Sequence, residues 1–195
     1  MSSRPRKIPV VLLALVAVFA LSACGDSHSR VTTGTYAGEG GAAAPYLNVG
    51  PLSYQVQVSR ELNPANAEDA AYLQGLTPAE AHLAPGEEWF AVFIQVYNNT
   101  SQERQAANTF KIYDTQGSTY SPVMLDESNP FAYRGGLVPT ESQLPEPGTI
   151  ADDVGAQGAL LLYKVQLASL ENRPWELRIV DPTDASQTAT AELDV

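Results

Sequence analysis

Residues that could catalyse hydrolysis are few in this sequence. The chain has two histidines, His28 and His82, and no Gly-x-Ser-x-Gly motif. Because nucleophilic hydrolysis needs a base beside the nucleophile, a Ser–His catalyst would depend on His82, which lies in an alanine-rich segment before Pro85. We expect His82 to be a surface histidine and the protein not to be an enzyme. A hydrolase that uses carboxylates or His82 is the first alternative.

Carboxylates offer a second kind of chemistry, because calcium is bound by oxygen ligands alone. Asp126-Glu127 and Asp152-Asp153 bracket residues 124–157, a long segment with no periodic pattern, and could meet in space. The sequence has no Asp-x-Asp-x-Asp-Gly loop, and it lacks the cysteine and histidine clusters of zinc sites. We therefore expect no metal and no cofactor. A calcium-stabilised structural domain that uses Asp126, Glu127, Asp152 and Asp153 is the second alternative.

A candidate partner-binding loop lies inside residues 124–157. The run Pro130-Phe131-Ala132-Tyr133-Arg134 combines aromatic residues with an arginine, and these types on loops are enriched at binding hot spots. Phe131, Tyr133 and Arg134 are therefore the candidate contact residues. The alternative is that Phe131 and Tyr133 fold back and close one end of the domain.

The first 24 residues have the three-part form of a secretory signal. Arg4, Arg6 and Lys7 make a positive start, and residues 8–21 form an apolar run of 14 residues that is interrupted only by Pro9. Such a run is too short to cross ~30 Å of hydrocarbon as a helix, but it suits a signal peptide. Because the positive end stays in the cytoplasm, we expect the rest of the chain to be exported.

The apolar run ends in Leu21-Ser22-Ala23-Cys24, which resembles the lipobox of bacterial lipoproteins. The resemblance implies removal of residues 1–23 as a signal peptide and lipidation of Cys24, the only cysteine in the chain, with acyl groups such as palmitate. Two acyl chains give stable attachment, at ~0.8 kcal/mol per buried methylene. We therefore expect an extracytoplasmic lipoprotein that is anchored to the cell membrane and does not span it.

The charge of the chain limits its partners. The formal net charge is −11, and removal of residues 1–23 would change it to −14, because that segment holds three basic residues and no acidic one. Such a surface repels phosphates, so we expect no nucleic acid as a partner. The expected partners are the membrane, through the lipid anchor, and an unknown envelope protein or ligand.

Beyond Cys24 the sequence divides into a tether and a domain. Residues 24–45 are rich in glycine, serine, threonine and alanine, which predicts a flexible tether. Residues 46–195 are predicted to form one domain. With its only cysteine lipidated, this domain has no internal disulfide and depends on its core for stability.

Strand signals recur along residues 46–195. Seven segments are alternating or fully apolar and are bounded by turn residues, and we predict strands at residues 52–58, 89–96, 110–113, 119–123, 159–167, 177–180 and 189–195. A short helical insertion is predicted between the first two strands, with Thr77 as its cap, Pro78 at its first position and Glu80 closing a capping box. This count, without alternating helices, predicts an all-β antiparallel sandwich.

The order of these segments resembles a family of bacterial lipoproteins that carry a telokin-like, immunoglobulin-like domain of unknown function. The resemblance covers residues 86–181. It consists of an aromatic-led strand from Trp89 that ends in Asn98-Asn99, the run Phe110-Lys111-Ile112-Tyr113-Asp114, and the run Leu160-Leu161-Leu162-Tyr163 after Gly158. It implies an immunoglobulin-like β-sandwich of about seven strands, with Trp89 in its core, and it implies no catalytic residue.

Overall fold

The computed structural model describes residues 32–34, 36–153 and 158–195. The predicted signal peptide and the lipidation site Cys24 lie outside the described residues. In the part of the chain that the structure describes, helices are too short or too polar for a membrane span.

Thirteen strands and one α-helix are described, and two packed β-sheets make the predicted all-β sandwich. In chain order they are β1 (Thr32–Gly34), β2 (Tyr36–Gly38), β3 (Tyr46–Val49), β4 (Leu52–Leu62), α1 (Ala67–Tyr72), β5 (Glu87–Asn98), β6 (Arg104–Gln105), β7 (Thr109–Tyr113), β8 (Thr119–Tyr120), β9 (Leu137–Val138), β10 (Ser142–Leu144), β11 (Ala159–Gln166), β12 (Trp175–Val180) and β13 (Thr188–Leu193). Each of the seven predicted strands overlaps an observed strand, in the predicted order. Six further strands were not predicted: β1, β2, β3, β6, β9 and β10.

The two sheets have simple orders. Sheet A runs β1-β3-β4-β5, and the far side of β5 is shared by β10 and β11. Sheet B runs β2-β13-β12-β7-β8, and β6 and β9 form a separate two-stranded ribbon. The described strand pairs are antiparallel except for β1–β3 and β2–β13.

The segment 24–45, predicted as a flexible tether, contains structure. Strand β1 lies at one edge of sheet A, and β2 lies at one edge of sheet B. The Glu39 carboxylate follows β2 and accepts a hydrogen bond from the Ser59 hydroxyl at 2.6 Å and another from the Asp194 N–H. A sheet edge offers unpaired backbone groups, and β1 and β2 pair through them with β3 and β13.

An inner core fills the space between the two sheets. Sheet A contributes Phe90, Val92 and Ile94 of β5, and sheet B contributes Leu177 and Ile179 of β12; each is fully buried. The Trp175 ring packs on the Phe90 ring with centroids 5.2 Å apart, and its Nε1–H donates to the Ser169 carbonyl at 2.9 Å.

An outer core lies on the opposite face of sheet A. Trp89, Ala91 and Phe93 of β5 alternate with the inner-core residues and point to this face, as the two-residue period of a strand requires. A cover made of α1, residues 73–83, residues 123–125 and residues 131–132 packs on them. Trp89 is therefore a core residue, 3% exposed.

The helix between β4 and β5 differs from the prediction in position. Helix α1 begins after Asn66, whose side chain accepts a hydrogen bond from the Glu68 N–H at 2.9 Å. The segment from Thr77 is a turn, although the predicted cap contact exists, with the Thr77 hydroxyl accepting from the Glu80 N–H at 3.3 Å. Pairs of cap residues also stabilise isolated turns, which is why this signal did not locate the helix.

Candidate functional site

The chain crosses from sheet B to sheet A immediately after β8, and this crossing opens a cleft. Strand β8 pairs Tyr120 with Ile112 of β7. Two residues later the chain reaches Pro122, which has no N–H to continue a strand ladder. The Val123 N–H then donates to the Leu162 carbonyl of β11 at 2.7 Å. The space left between β7 and β11 is named the seam cleft here.

The seam cleft has an apolar floor and two walls. Phe110 of β7 and residues 160–162 of β11 line its floor, and residues 122–125 and 132–135 line its walls. Its volume is about 160 Å³. Met124 stands at its lip with 74% of its surface exposed, whereas Leu125 next to it is buried in the outer core.

Tyr133 fixes one wall of the seam cleft to the sandwich. Its ring packs against Phe110 with centroids 5.0 Å apart, and its hydroxyl donates to the Ala107 carbonyl at 2.6 Å. The N–H of the same Ala107 donates to the Tyr54 hydroxyl at 2.7 Å. Burial raises the pKa of both tyrosines, that of Tyr54 to about 12, so both phenols stay neutral and serve as hydrogen-bonding groups.

Arg134 joins the two walls of the seam cleft. Its Nη1 donates to the Leu125 carbonyl at 2.7 Å, and its Nη2 donates to the Asp126 carbonyl. The side chain is exposed, and in the described part of the chain it is the only charged residue that lines the cleft. These backbone contacts hold the guanidinium in place at the rim.

Phe131 belongs to the outer core and not to the seam cleft. Its ring meets the Tyr72 ring with centroids 4.8 Å apart. The segment is held by Asn129, whose amide donates to the carbonyls of Tyr72 and Gln74 at 2.9 Å each and accepts from the Phe131 N–H at 2.8 Å. The structure therefore turns Phe131 and Tyr133 inward and leaves Arg134 exposed.

The described histidine and carboxylate candidates are not among the residues that line the seam cleft, although Asp126 adjoins it through its contact with Arg134. His82 is exposed, and its carbonyl accepts from Lys164 Nζ at 2.8 Å. The Asp126 carboxylate accepts from the Ser128 hydroxyl and N–H, and these bonds lower its pKa. The Asp152 carboxylate accepts from the Gln143 amide at 2.8 Å and from a backbone N–H.

Glu127 and Asp153 complete the two predicted carboxylate pairs. Glu127 follows Asp126 on the exposed surface beside the outer core, and Asp153 follows Asp152 in the loop after β10. Among the described residues no group of three or more His, Cys, Asp or Glu side chains is placed to hold a metal ion. The hydrolase and calcium alternatives remain hypotheses from the sequence.

Several cleft residues were not identified from the sequence. Phe110 was recognised only as a strand residue, and Asn108 and Met124 lie in segments without a pattern. Pro122 was the available signal, because a proline cannot donate to a strand ladder, and the strand predicted at residues 119–123 ends at Tyr120 in the structure. What the sequence could not show is that the chain changes sheets there.

Comparisons with known proteins give weak likenesses. No protein-family model matches the chain, and no curated protein matches it. Two solved structures from Bacillus subtilis are similar in shape, each at 10% identity over 76% of this chain: a "putative lipoprotein (ycdA)", with a TM-score of 0.45, and the yjhA protein, with a TM-score of 0.48. The match spans 38% of the ycdA chain and 96% of the yjhA chain. Likenesses at this level assign neither a family nor an activity.

Proposed function

We propose that this protein is an exported, lipid-anchored β-sandwich of the bacterial cell envelope that binds a partner through the seam cleft and performs no catalysis. The lipobox-like run Leu21-Ser22-Ala23-Cys24 supports the anchor. The strand order supports membership of the lipoprotein family with an immunoglobulin-like domain that residues 86–181 resemble.

The seam cleft is the observation that carries the binding function. It combines an apolar floor, a highly exposed methionine at the lip and a single fixed cation at the rim. Ligand sites typically combine apolar walls with a few convergent polar groups. Exposed apolar surface that is rimmed by polar residues is one mark of a ligand-binding groove, and Met124 contributes such surface to the cleft.

The anchor is tested by partition between detergent and water. In an expression host that processes lipoproteins, the wild-type protein is expected in the detergent phase and the Cys24→Ser variant in the aqueous phase, because the thioether-linked lipid is lost. Partition of Cys24→Ser into detergent at the wild-type level would refute the lipid anchor.

The seam cleft is tested with toluene-4-sulfonate, an aromatic monoanion similar in size to one aromatic side chain, with binding measured by ligand-observed NMR. Purified residues 24–195 are expected to bind it in the folded state, and Met124→Ser is expected to weaken binding by about tenfold, which corresponds to loss of one apolar contact. Leu167→Ser is the matched control, because Leu167 is 49% exposed and does not line the cleft. Equal binding by both variants, or no binding by the wild type, would reject the cleft as the binding site.

A further inference from the structure

The size of the seam cleft limits what it can hold. About 160 Å³ is below the ~300–1,000 Å³ of typical small-molecule and cofactor sites. A space of this size matches one large aliphatic or aromatic side chain. The apolar floor, formed by Phe110 and by Leu160 to Leu162, favours such a side chain over a polar one.

The charge at the rim defines a second group on the ligand. A guanidinium has N–H donors on Nε and on both Nη atoms, and the backbone contacts of Arg134 use one hydrogen on each Nη. The Nε–H and the second hydrogens of the two Nη atoms are left as donors, and an Nε–H/Nη–H edge matches a carboxylate. The Asp126 carboxylate also interacts electrostatically with this guanidinium, so a ligand carboxylate would share the charge of Arg134 with Asp126. Because the chain is strongly acidic as a whole, a single carboxylate fits this surface better than a polyanion.

A third polar group also lines the seam cleft. Asn108 is exposed and follows the Ala107 peptide that Tyr54 and Tyr133 hold in place. Asn108 is one of the residues that line the cleft. Its Oδ1 accepts from the Thr109 hydroxyl at 3.3 Å, and its amide N–H groups can donate to a backbone carbonyl. The cleft therefore offers an apolar space, a carboxylate partner and a peptide partner within a small volume.

We propose that the seam cleft recognises the free C-terminal residue of a partner polypeptide when that residue is large and apolar. The side chain enters the apolar space beside Met124, the α-carboxylate pairs with Arg134, and the last peptide group lies against Asn108. A C-terminal residue brings an apolar side chain and a carboxylate together on one Cα, which suits so small a site. Capture of a C-terminal carboxylate is a known mode of peptide recognition. This inference rests on the proposed binding function and specifies its ligand.

The test uses fluorescein-labelled hexapeptides that differ only at the last residue, measured by fluorescence anisotropy against residues 24–195. Two peptides end in Leu or Phe as the free acid, and two end in the same residues as the carboxamide. A fifth peptide ends in Ser as the free acid. A further peptide carries Leu-Asp internally and ends in an amide. The apolar free acids are expected to bind at least about tenfold more tightly than their carboxamides.

Variants of Arg134 separate charge from geometry. Arg134→Gln is expected to remove the preference for the free acid. Arg134→Lys is expected to retain part of it, because lysine keeps the positive charge but lacks the paired N–H donors of the guanidinium. Arg173→Gln is the matched control: Arg173 is also exposed, its Nε also donates to a backbone carbonyl, that of Leu170 at 3.0 Å, and it does not line the cleft. Thermal melts of each variant verify the fold.

The outcomes distinguish this inference from the proposed function. Equal binding of free acids and carboxamides, or tighter binding of the internal Leu-Asp peptide, overturns C-terminal recognition. Binding of toluene-4-sulfonate without binding of any peptide also overturns it and leaves the binding function standing. If neither probe binds, both proposals fail.

Discussion

The inner and outer cores share sheet A but are enclosed differently. The inner core is closed by a second hydrogen-bonded sheet, and most of its members are essentially unexposed. The outer core is closed by one short helix and by loop segments, and many of its members are only partly buried, among them Leu73, Leu76 and Phe131. A cover of this kind opens at lower free energy than a sheet, so the two faces of one sheet differ in stability.

The seam cleft lies where the two cores meet. Phe110 and Tyr133 belong to the inner core or pack on it, whereas Leu125 and Leu160 belong to the outer core. The wall that contains Tyr133 therefore packs on the inner core, which is the more stable region. The wall that contains Leu125 belongs to the outer core, which is the less stable region. Binding residues placed on such a boundary combine a fixed surface with one that can adjust.

The largest expected effect comes from the same substitution made in both cores. Leu177→Ala removes a fully buried inner-core side chain and should lower the free energy of unfolding by about 4 kcal/mol, whereas Leu125→Ala, 6% exposed in the outer core, should lower it by about 2 kcal/mol because the cover can collapse into the gap. Urea denaturation measures both. Equal losses would show that the cover is as rigid as the second sheet.

A smaller effect is expected at Asn129, which fastens the cover by its side-chain hydrogen bonds. Asn129→Ala leaves the carbonyls of Tyr72 and Gln74 without this donor and should cost about 2 kcal/mol. Hydrogen exchange should accelerate in α1 and in residues 123–132 and stay unchanged in sheet B. Asn99→Ala, at an exposed position, serves as the control. Acceleration across both sheets would contradict separate opening of the cover.

The smallest expected effect is a response to acid at the end of the inner core. Burial opposes ionisation of Asp114, but hydrogen bonds from Asn172, Ser118 and Ser169 outweigh it and lower the pKa of its carboxyl to about 2. Because the folded pKa lies below the unfolded value of 3.8, its stabilisation is present above about pH 4 and is lost as the pH falls towards 2. After allowance for solvent screening the loss is about 1 kcal/mol.

Chemical denaturation at pH 2 to 5 measures the Asp114 contribution. The Asp114→Asn variant should be less stable than the wild type above pH 4 and should lose less stability on acidification. The outer core has its own acid-sensitive contact, in which Arg60 donates to Asp69 at 2.6 Å and lowers the pKa of the Asp69 carboxyl. Asp69→Asn should therefore accelerate hydrogen exchange in α1. If Asp69→Asn and Asp114→Asn changed hydrogen exchange in the same residues, the inner and outer cores would not be separate regions of stability.

The sequence predicts the longer strands well, because their two-residue period or apolar run is set by the sheets they form. Strands β4, β5 and β11 follow from alternation or apolar length alone. Strands β9 and β10 could not be found this way, because they are two and three residues long and only Val138 among their side chains is fully buried. Local patterns carry no signal for the pairing of such short strands.

The site was predictable only in part. Arg134 was identified by type, and the structure places it at the cleft rim. Phe131 was grouped with it because the two are neighbours in sequence, but the Asn129 contacts turn that segment so that the aromatic ring enters the outer core. Which face of a loop is exposed depends on distant contacts that adjacent residue types do not reveal.

The parallel pairing of β2 with β13 also has a mechanical consequence. Tyr36, Ala37 and Gly38 lie beside Thr190, Ala191 and Glu192 in the same direction. A tension applied between the start of β2 and the end of β13 therefore slides the two strands past each other, so that their hydrogen bonds bear the load in shear and are not peeled apart one at a time. If the domain is pulled from these two points, the β2–β13 hydrogen bonds are therefore the first to oppose its extension.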